Sequence, residues 1–121
     1  MSAVPWWGWV LAVLAGSVGA LVQTGLVRAL ARHEFPLGVL VANTTASAIG
    51  GSVVAGTGRI DPVWVLVIVG GLCGGLSTVS TLACDTAELW LEGRRWVAVR
   101  NVGLNVALGI GAAWGAWTVV S

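Results

Sequence analysis

Residues 62–85 read Pro62-Val-Trp-Val-Leu-Val-Ile-Val-Gly-Gly-Leu-Cys-Gly-Gly-Leu-Ser-Thr-Val-Ser-Thr-Leu-Ala-Cys-Asp85. The 23 residues from Pro62 to Cys84 carry no formal charge, and a helix needs roughly 20 residues to cross a hydrocarbon core of about 30 Å. Within this run, four glycines between Gly70 and Gly75 are followed by Ser77, Thr78, Ser80 and Thr81. Glycine costs about 1 kcal/mol relative to alanine in a helix interior, and β-branched residues are weak helix formers. The stretch therefore predicts a membrane-spanning helix with a break inside it. Such a break is tolerated only where protein or a cavity satisfies the freed backbone groups.

The rest of the chain repeats the uncharged pattern. Its six arginines and five carboxylates fall in three short stretches, 28–34, 59–61 and 85–100, leaving uncharged runs at 1–27, 35–58, 62–84 and 101–121. Of the 121 residues, 57% are hydrophobic and 9% charged, whereas ordinary soluble domains carry about a quarter charged residues. A polar shell is missing, so the bilayer is the expected solvent. Transmembrane strands would show alternating segments of about 10 residues, which these runs do not. The prediction is an all-α membrane protein in one domain, 1–121, with four transmembrane helices at about 4–30, 35–57, 62–90 (broken near 74–80) and 97–120.

The first run lacks a basic start and a small-x-small cleavage site before Arg28, so it is expected to be a mature span and not a secretory signal. Trp6, Trp7, Trp9, Trp64, Trp90, Trp96, Trp114 and Trp117 lie near the ends of the runs, where amphipathic rings anchor at the interface. The connections after spans one and three hold Arg28, Arg32, Arg94, Arg95 and Arg100, against Arg59 alone on the opposite side. Basic residues favour the cytoplasmic side. Both termini are thus expected outside the cytoplasm, in a multi-pass plasma-membrane protein. Gly70 with Gly74, Gly71 with Gly75, Gly111 with Gly115 and Ser47 with Gly51 have the small-xxx-small spacing, which serves packing between subunits or within one bundle.

Cys73 and Cys84 show neither a CxxC spacing nor a nearby histidine, so they imply neither a metal site nor a disulfide. His33, beside Arg32 and Glu34, reads as an interfacial side chain, and Asp85 and Glu88 as a solvated helix end. There is no nucleophile paired with a base, no phosphate loop and no basic nucleic-acid stripe. Neither an enzyme nor a nucleic-acid partner is expected. The uncharged runs also lack the mid-membrane ionisable group that a proton-coupled carrier would use.

What the spans do contain is neutral polarity at helical spacing. Asn43 and Ser47 share one face of span two, with Thr44 and Thr45 beside them, and Asn101 and Asn105 share one face of span four. Two readings stand side by side: hydrogen bonds between helices, or neutral donors for a small ion that must shed water and leave again.

The segment Gly71–Asp85 resembles the GxxGGxTTFSTFSxE signature of the CrcB/Fluc fluoride channels, and Phe35-Pro-Leu-Gly-Val-Leu-Val-Ala-Asn43 resembles that family's FPxGTLxxN element. With four spans and a broken third helix, the likeness extends over nearly the whole chain. The resemblance implies an antiparallel dual-topology-type dimer that lets fluoride leave the cytoplasm passively, with a structural sodium ion at its centre. It implies pore positions at Asn43, Ser77, Thr78, Val79, Ser80, Thr81, Leu82, Asn101 and Asn105. It further implies sodium ligation by the backbone carbonyls of Gly74 and Ser77, with Asp85 in the place of a glutamate.

The chain departs from that pattern at both signature phenylalanines, which are Val79 and Leu82 here. The electropositive edge of an aromatic ring has no aliphatic equivalent. Asn101 replaces a tyrosine, Asn105 a serine, and Gln23, after Gly19, an arginine. A single preferred orientation also sits poorly with a dimer that needs two opposite ones. One half of a heteromeric pair, whose second CrcB/Fluc-type subunit supplies the rings, is therefore expected. Two alternatives remain: a small four-span multidrug exporter, although span one has no acid, and a non-conducting structural subunit.

Overall fold

The computed structural model describes residues 4–30, 37–56 and 58–121. Arg32, His33, Glu34 and the Phe35-Pro36 start of the second motif lie outside them. Four helical segments are long and apolar enough to cross a membrane: Trp6–Ala29, Leu37–Ala55, Pro62–Leu91 and Arg95–Val120. No strand occurs among the described residues. Helix α1 (Trp6–Ala29) and helix α2 (Leu37–Ala55) are continuous.

The third span is assembled from pieces. Asp61 caps its start, Oδ1 accepting the Val63 N–H at 3.0 Å with Pro62 at the first helical position, a pairing that satisfies an orphan amide and pre-sets the helical φ. Helix α3 (Pro62–Val65) runs into a π-helical segment, Leu66–Cys73, and then one turn, α4 (Gly74–Leu76). Ser77 and Thr78 leave the helix with extended dihedrals, φ/ψ −81°/153° and −151°/124°. Helix α5 (Val79–Leu91) completes the span and α6 (Arg95–Val120) returns across it. The expected break is a two-residue interruption.

The α5–α6 turn is a glycine-terminated helix end. Gly93 takes φ 84°, the Arg94 N–H donates to the Leu89 carbonyl and the Gly93 N–H to the Trp90 carbonyl, the paired bonds of a Schellman cap. Here the helices outrun the uncharged sequence, because the nearest stop signal is Gly93. Asp85 therefore stands in the middle of α5 and Glu88 in its last turn, with Arg95 and Arg100 inside α6. The Arg95 guanidinium lies 4.9 Å from the centre of the Trp90 ring.

Packing uses backbone approach. Helix α1 lies along the π segment and α4, where a β-carbon on Gly71 would strike the Ala12 carbonyl, and one on Gly75 the Gly16 carbonyl. Gly51 meets the backbone of Ala113 in the extensive α2–α6 contact. The Gly71/Gly75 and Ser47/Gly51 spacings thus serve packing within the chain, whereas Gly111 and Gly115 face open space. A small core of Ala42, Ala46, Cys73 and Leu76 joins α2 to the third span, with Leu26, Ile49 and Ile68 against it. The membrane windows of α1 and α6 are almost unburied in the protomer, which suits surfaces bathed in acyl chains.

Glycine-mediated contact predicts an asymmetric response to a methyl group. Gly75→Ala should destabilise the fold by about 1–3 kcal/mol through overpacking. Gly25→Ala, where the added carbon meets nothing within 4 Å, should be neutral or stabilising by up to about 1 kcal/mol. Denaturant or thermal unfolding in detergent would measure both.

Candidate functional site

The break at Ser77–Thr78 is closed by one side chain of α2. Asn43 Oδ1 accepts the Thr78 N–H at 2.7 Å, and Asn43 Nδ2 donates to the Thr78 carbonyl at 3.2 Å. A primary amide presents a donor and an acceptor side by side, so it can pair both backbone groups of an extended residue as a neighbouring strand would. Thr78 then caps α5. Its Oγ1 accepts the Thr81 N–H at 3.2 Å, and the two threonine hydroxyls lie 3.2 Å apart.

The break takes the helical donors from the carbonyls of Gly74, Gly75, Leu76 and Ser77, the first and last of them through these diversions. In a continuous helix the Thr78 N–H would bond the Gly74 carbonyl and the Thr81 N–H the Ser77 carbonyl, but both donors are committed elsewhere. Gly74 and Ser77 are exposed and line an open groove of about 260 Å³ together with Ala46, Ser47, Gly50 and Cys73. Hard cations take such neutral oxygens, as at unwound helices in transporters. Among the described residues no cluster of His, Cys, Asp or Glu is disposed to hold a metal, so any cation site here is one of carbonyls. On the other side of the break, Val79 and Ser80 hold the first-turn N–H groups of α5, which have no intrahelical acceptor and lie at the positive end of the helix dipole. Both residues are exposed.

From Asn43 the polar contacts run on into α6. Asn43 Nδ2 also donates to Asn105 Oδ1 at 3.1 Å. Asn105 Nδ2 donates to the Asn101 carbonyl at 2.8 Å and to Asn101 Oδ1 at 3.1 Å. Asn101 Nδ2 donates to Thr86 Oγ1 at 3.0 Å, and that hydroxyl donates to the Leu82 carbonyl at 2.7 Å. Asn101 is fully buried and Asn105 nearly so. The structure thus brings Asn43, Thr78, Thr81, Asn101 and Asn105 into one network. Ser77 stands outside it on the groove, and among the described residues no side-chain bond engages the exposed Ser80.

Val79 and Leu82 line a separate open, apolar groove of about 590 Å³ between α5 and α6, with Ala83, Thr86, Trp90 and Val102. Val79 is 80% exposed. Two large side chains at these positions would fill space that the aliphatic pair leaves open. Thr44 Oγ1 is a buried side-chain oxygen without a partner among the described residues.

Thr86 is the member of the network that the sequence reading passes over, although a signal for it exists. It lies seven residues before Gly93, and Asn101 lies seven after Arg94. In an antiparallel pair of helices folded about that turn, residues equally far from it face each other.

A model of the family described as "CrcB-like protein, Camphor Resistance (CrcB)" matches residues 10–117. A fluoride-specific ion channel FluC of Renibacterium salmoninarum is 39% identical over 112 residues, 84% of this chain and 89% of the relative. A fluoride-specific ion channel FluC 1 of Frankia casuarinae is 37% identical over 115 residues, 87% of this chain and 89% of its own. A fluoride-specific ion channel FluC 2 of Symbiobacterium thermophilum is 36% identical over 106 residues, 82% and 85% respectively.

Removing the amide that closes the break should be costly. Asn43→Leu leaves the Thr78 N–H and carbonyl without partners, and an unsatisfied buried backbone group costs about 1–3 kcal/mol. The expected outcome is a loss of that order in unfolding free energy, with faster hydrogen exchange at the Thr78 amide as the local readout.

Proposed function

The chain belongs to the CrcB-like family, and from that membership we propose that it is a subunit of a fluoride-selective channel through which fluoride leaves the cytoplasm passively. The observation that carries the proposal is the broken third span, rich in neutral donors, in a chain 36–39% identical to proteins named fluoride-specific ion channels. Fluoride holds its water tightly, so a path through lipid must return hydrogen bonds for those removed. It must do so without a fixed charge that would trap the ion. Hydroxyls at Ser77, Thr78, Ser80 and Thr81 and the first-turn N–H groups of α5 are donors of that kind. Asn43 completes the polar lining, with Asn101 and Asn105 buried behind it, and Val79 and Leu82 form its aliphatic wall.

The subunit works as one half of an antiparallel pair, with a second CrcB/Fluc-type chain as partner. Numbered names among the relatives support paired subunits. Five of the six arginines lie in or beside the two connections on one side, which favours a single orientation with both termini outside the cytoplasm. The partner then takes the opposite orientation and offers aromatic edges against the groove beside Val79 and Leu82.

The carbonyls of Gly74 and Ser77, freed of their helical donors, fit a sodium ion shared across the pair. Bound there, sodium would supply a fixed positive charge beside an anion path. Non-conducting membership of the pair is the second reading, favoured by the Asn43 amide hydrogens being committed to Thr78 and Asn105.

Fluoride efflux from liposomes tests the pairing. The chain alone should give little efflux and the co-reconstituted pair a rate at least about tenfold higher, a difference worth roughly 1.4 kcal/mol in barrier. Equal efflux without the partner would reject heteromeric pairing. Asn43→Asp within the pair should cut the flux severely, because a carboxylate repels the anion, and unchanged flux would select the non-conducting reading. Exchanging sodium for a bulky organic cation on both sides should lower the rate, and indifference to that exchange would remove sodium from the assignment.

A further inference from the structure

All three asparagines of the chain, Asn43, Asn101 and Asn105, belong to one hydrogen-bonded circuit that leaves α5 at Thr78 and returns to it at Thr86 and Leu82. Its bonds have a single direction. Asn43 must turn its oxygen to the Thr78 N–H, so its nitrogen faces Asn105 and can only donate there. Asn105 must answer with its oxygen. Its own nitrogen is thereby turned to Asn101, where the backbone carbonyl and Oδ1 both accept. Asn101 in turn can only donate to Thr86, whose proton is held by the Leu82 carbonyl. A reversed amide at any step would set donor against donor, with no water in reach at Asn101 or Asn105 to relieve it.

An anion is bound by donors. Asn105 has none to spare, because its amide group is spent on Asn101, and its oxygen faces Asn43. We infer that Asn105 is a positioning residue for the ion path: it fixes the rotamer and donor direction of Asn43, and through it the extended backbone at Thr78, without itself touching the ion. Asn101 stands behind Asn105 in the same role. This rests on the fluoride-channel reading above for its effect on conduction, though not for its effect on Asn43.

Two measurements separate it from a ligand role and from simple loss of fold. With 15N-labelled asparagine in detergent micelles, the chain has three side-chain amides to follow. Asn105→Leu should raise hydrogen exchange at the Asn43 side chain by about tenfold. Asn101→Leu should do so less, since Asn105 keeps the Asn101 backbone carbonyl at 2.8 Å. In liposomes carrying the conducting assembly, Asn105→Leu should raise the half-saturating fluoride concentration and move the reversal potential under a fluoride–chloride gradient toward zero. A mere fall in the number of folded channels moves neither. In an Asn43→Ser background the same substitution should add less than about twofold, because contacts acting through one residue are not additive. Unchanged exchange at Asn43, or an effect of Asn105→Leu that persists in full in the Asn43→Ser background, would overturn the inference. Absence of fluoride efflux from every wild-type assembly would sink the channel reading instead, while the exchange measurement would still decide the positioning role.

Discussion

Everything at the centre of this protein follows from leaving two residues of a membrane-spanning segment outside the helix. In lipid an unpaired N–H or carbonyl has no water to turn to, and each such group costs several kcal/mol. Ser77 and Thr78 are extended in the middle of the third span, so the fold must provide a substitute for the missing helical bonds. Asn43 does so with both ends of its amide, and the Thr78 hydroxyl does so for the turn that follows. Continuing the helix would have been cheaper in bonds. What the interruption provides is released carbonyls at Gly74 and Ser77 on one side and free first-turn N–H groups at Val79 and Ser80 on the other. Opposite partial charges meet at one membrane depth without any ionised side chain.

Holding such a break in place requires the span to be gripped before and after it. Before it, α1 lies against the π segment and α4 at backbone distance, which Gly71 and Gly75 on the third span and Gly19 on α1 permit. After it, the amide circuit ties α5 to α2 and α6 at Thr78 and Thr86. The first grip is van der Waals contact between small residues and the second is polar, the two forces available where the hydrophobic effect between helices is absent. Three hydroxyls elsewhere in the spans bond their own helix: Ser17 to the Val13 carbonyl, Thr24 to Ala20 and Ser52 to Ala48. They leave the network to the asparagines.

Much of this is legible in the sequence, and the limit has a physical cause. Charge spacing alone marks four helices, because lipid excludes ionised groups over a fixed thickness. The run of glycines and hydroxyls marks the third as broken. Asn43 stands out as a polar residue on one face of span two with Ser47, but its pairing with the break comes only from the structure. Less accessible is direction. Whether Gly71 or Gly70 faces a neighbour depends on helix phase, which the π-helical turns shift away from the 3.6-residue period. Whether Asn101 and Asn105 offer donors outward or to each other depends on the orientation of amides, and composition carries no trace of it. The end of α5 is legible: the span expected to close near residue 90 closes at Leu91, beyond the charges of Asp85 and Glu88, because the chain turns where Gly93 can adopt positive φ.

A consequence for conduction follows from counting hydrogens. With both amide hydrogens of Asn43 engaged, the uncommitted donors on the α5 side of the break include the Ser80 hydroxyl and the N–H groups of Val79 and Ser80, on residues exposed at the protomer surface. A protomer standing alone would present them to acyl chains, an arrangement no polar group tolerates for free. Only a second polar or aromatic surface laid against α5 turns that row into the wall of a path. The open, apolar groove beside Val79 and Leu82 lies on the same helix. On the proposed pairing, the chain is complete as a bundle and incomplete as a conduit: a second subunit would cover its neutral donors, and the asparagine circuit would keep the covered face in register.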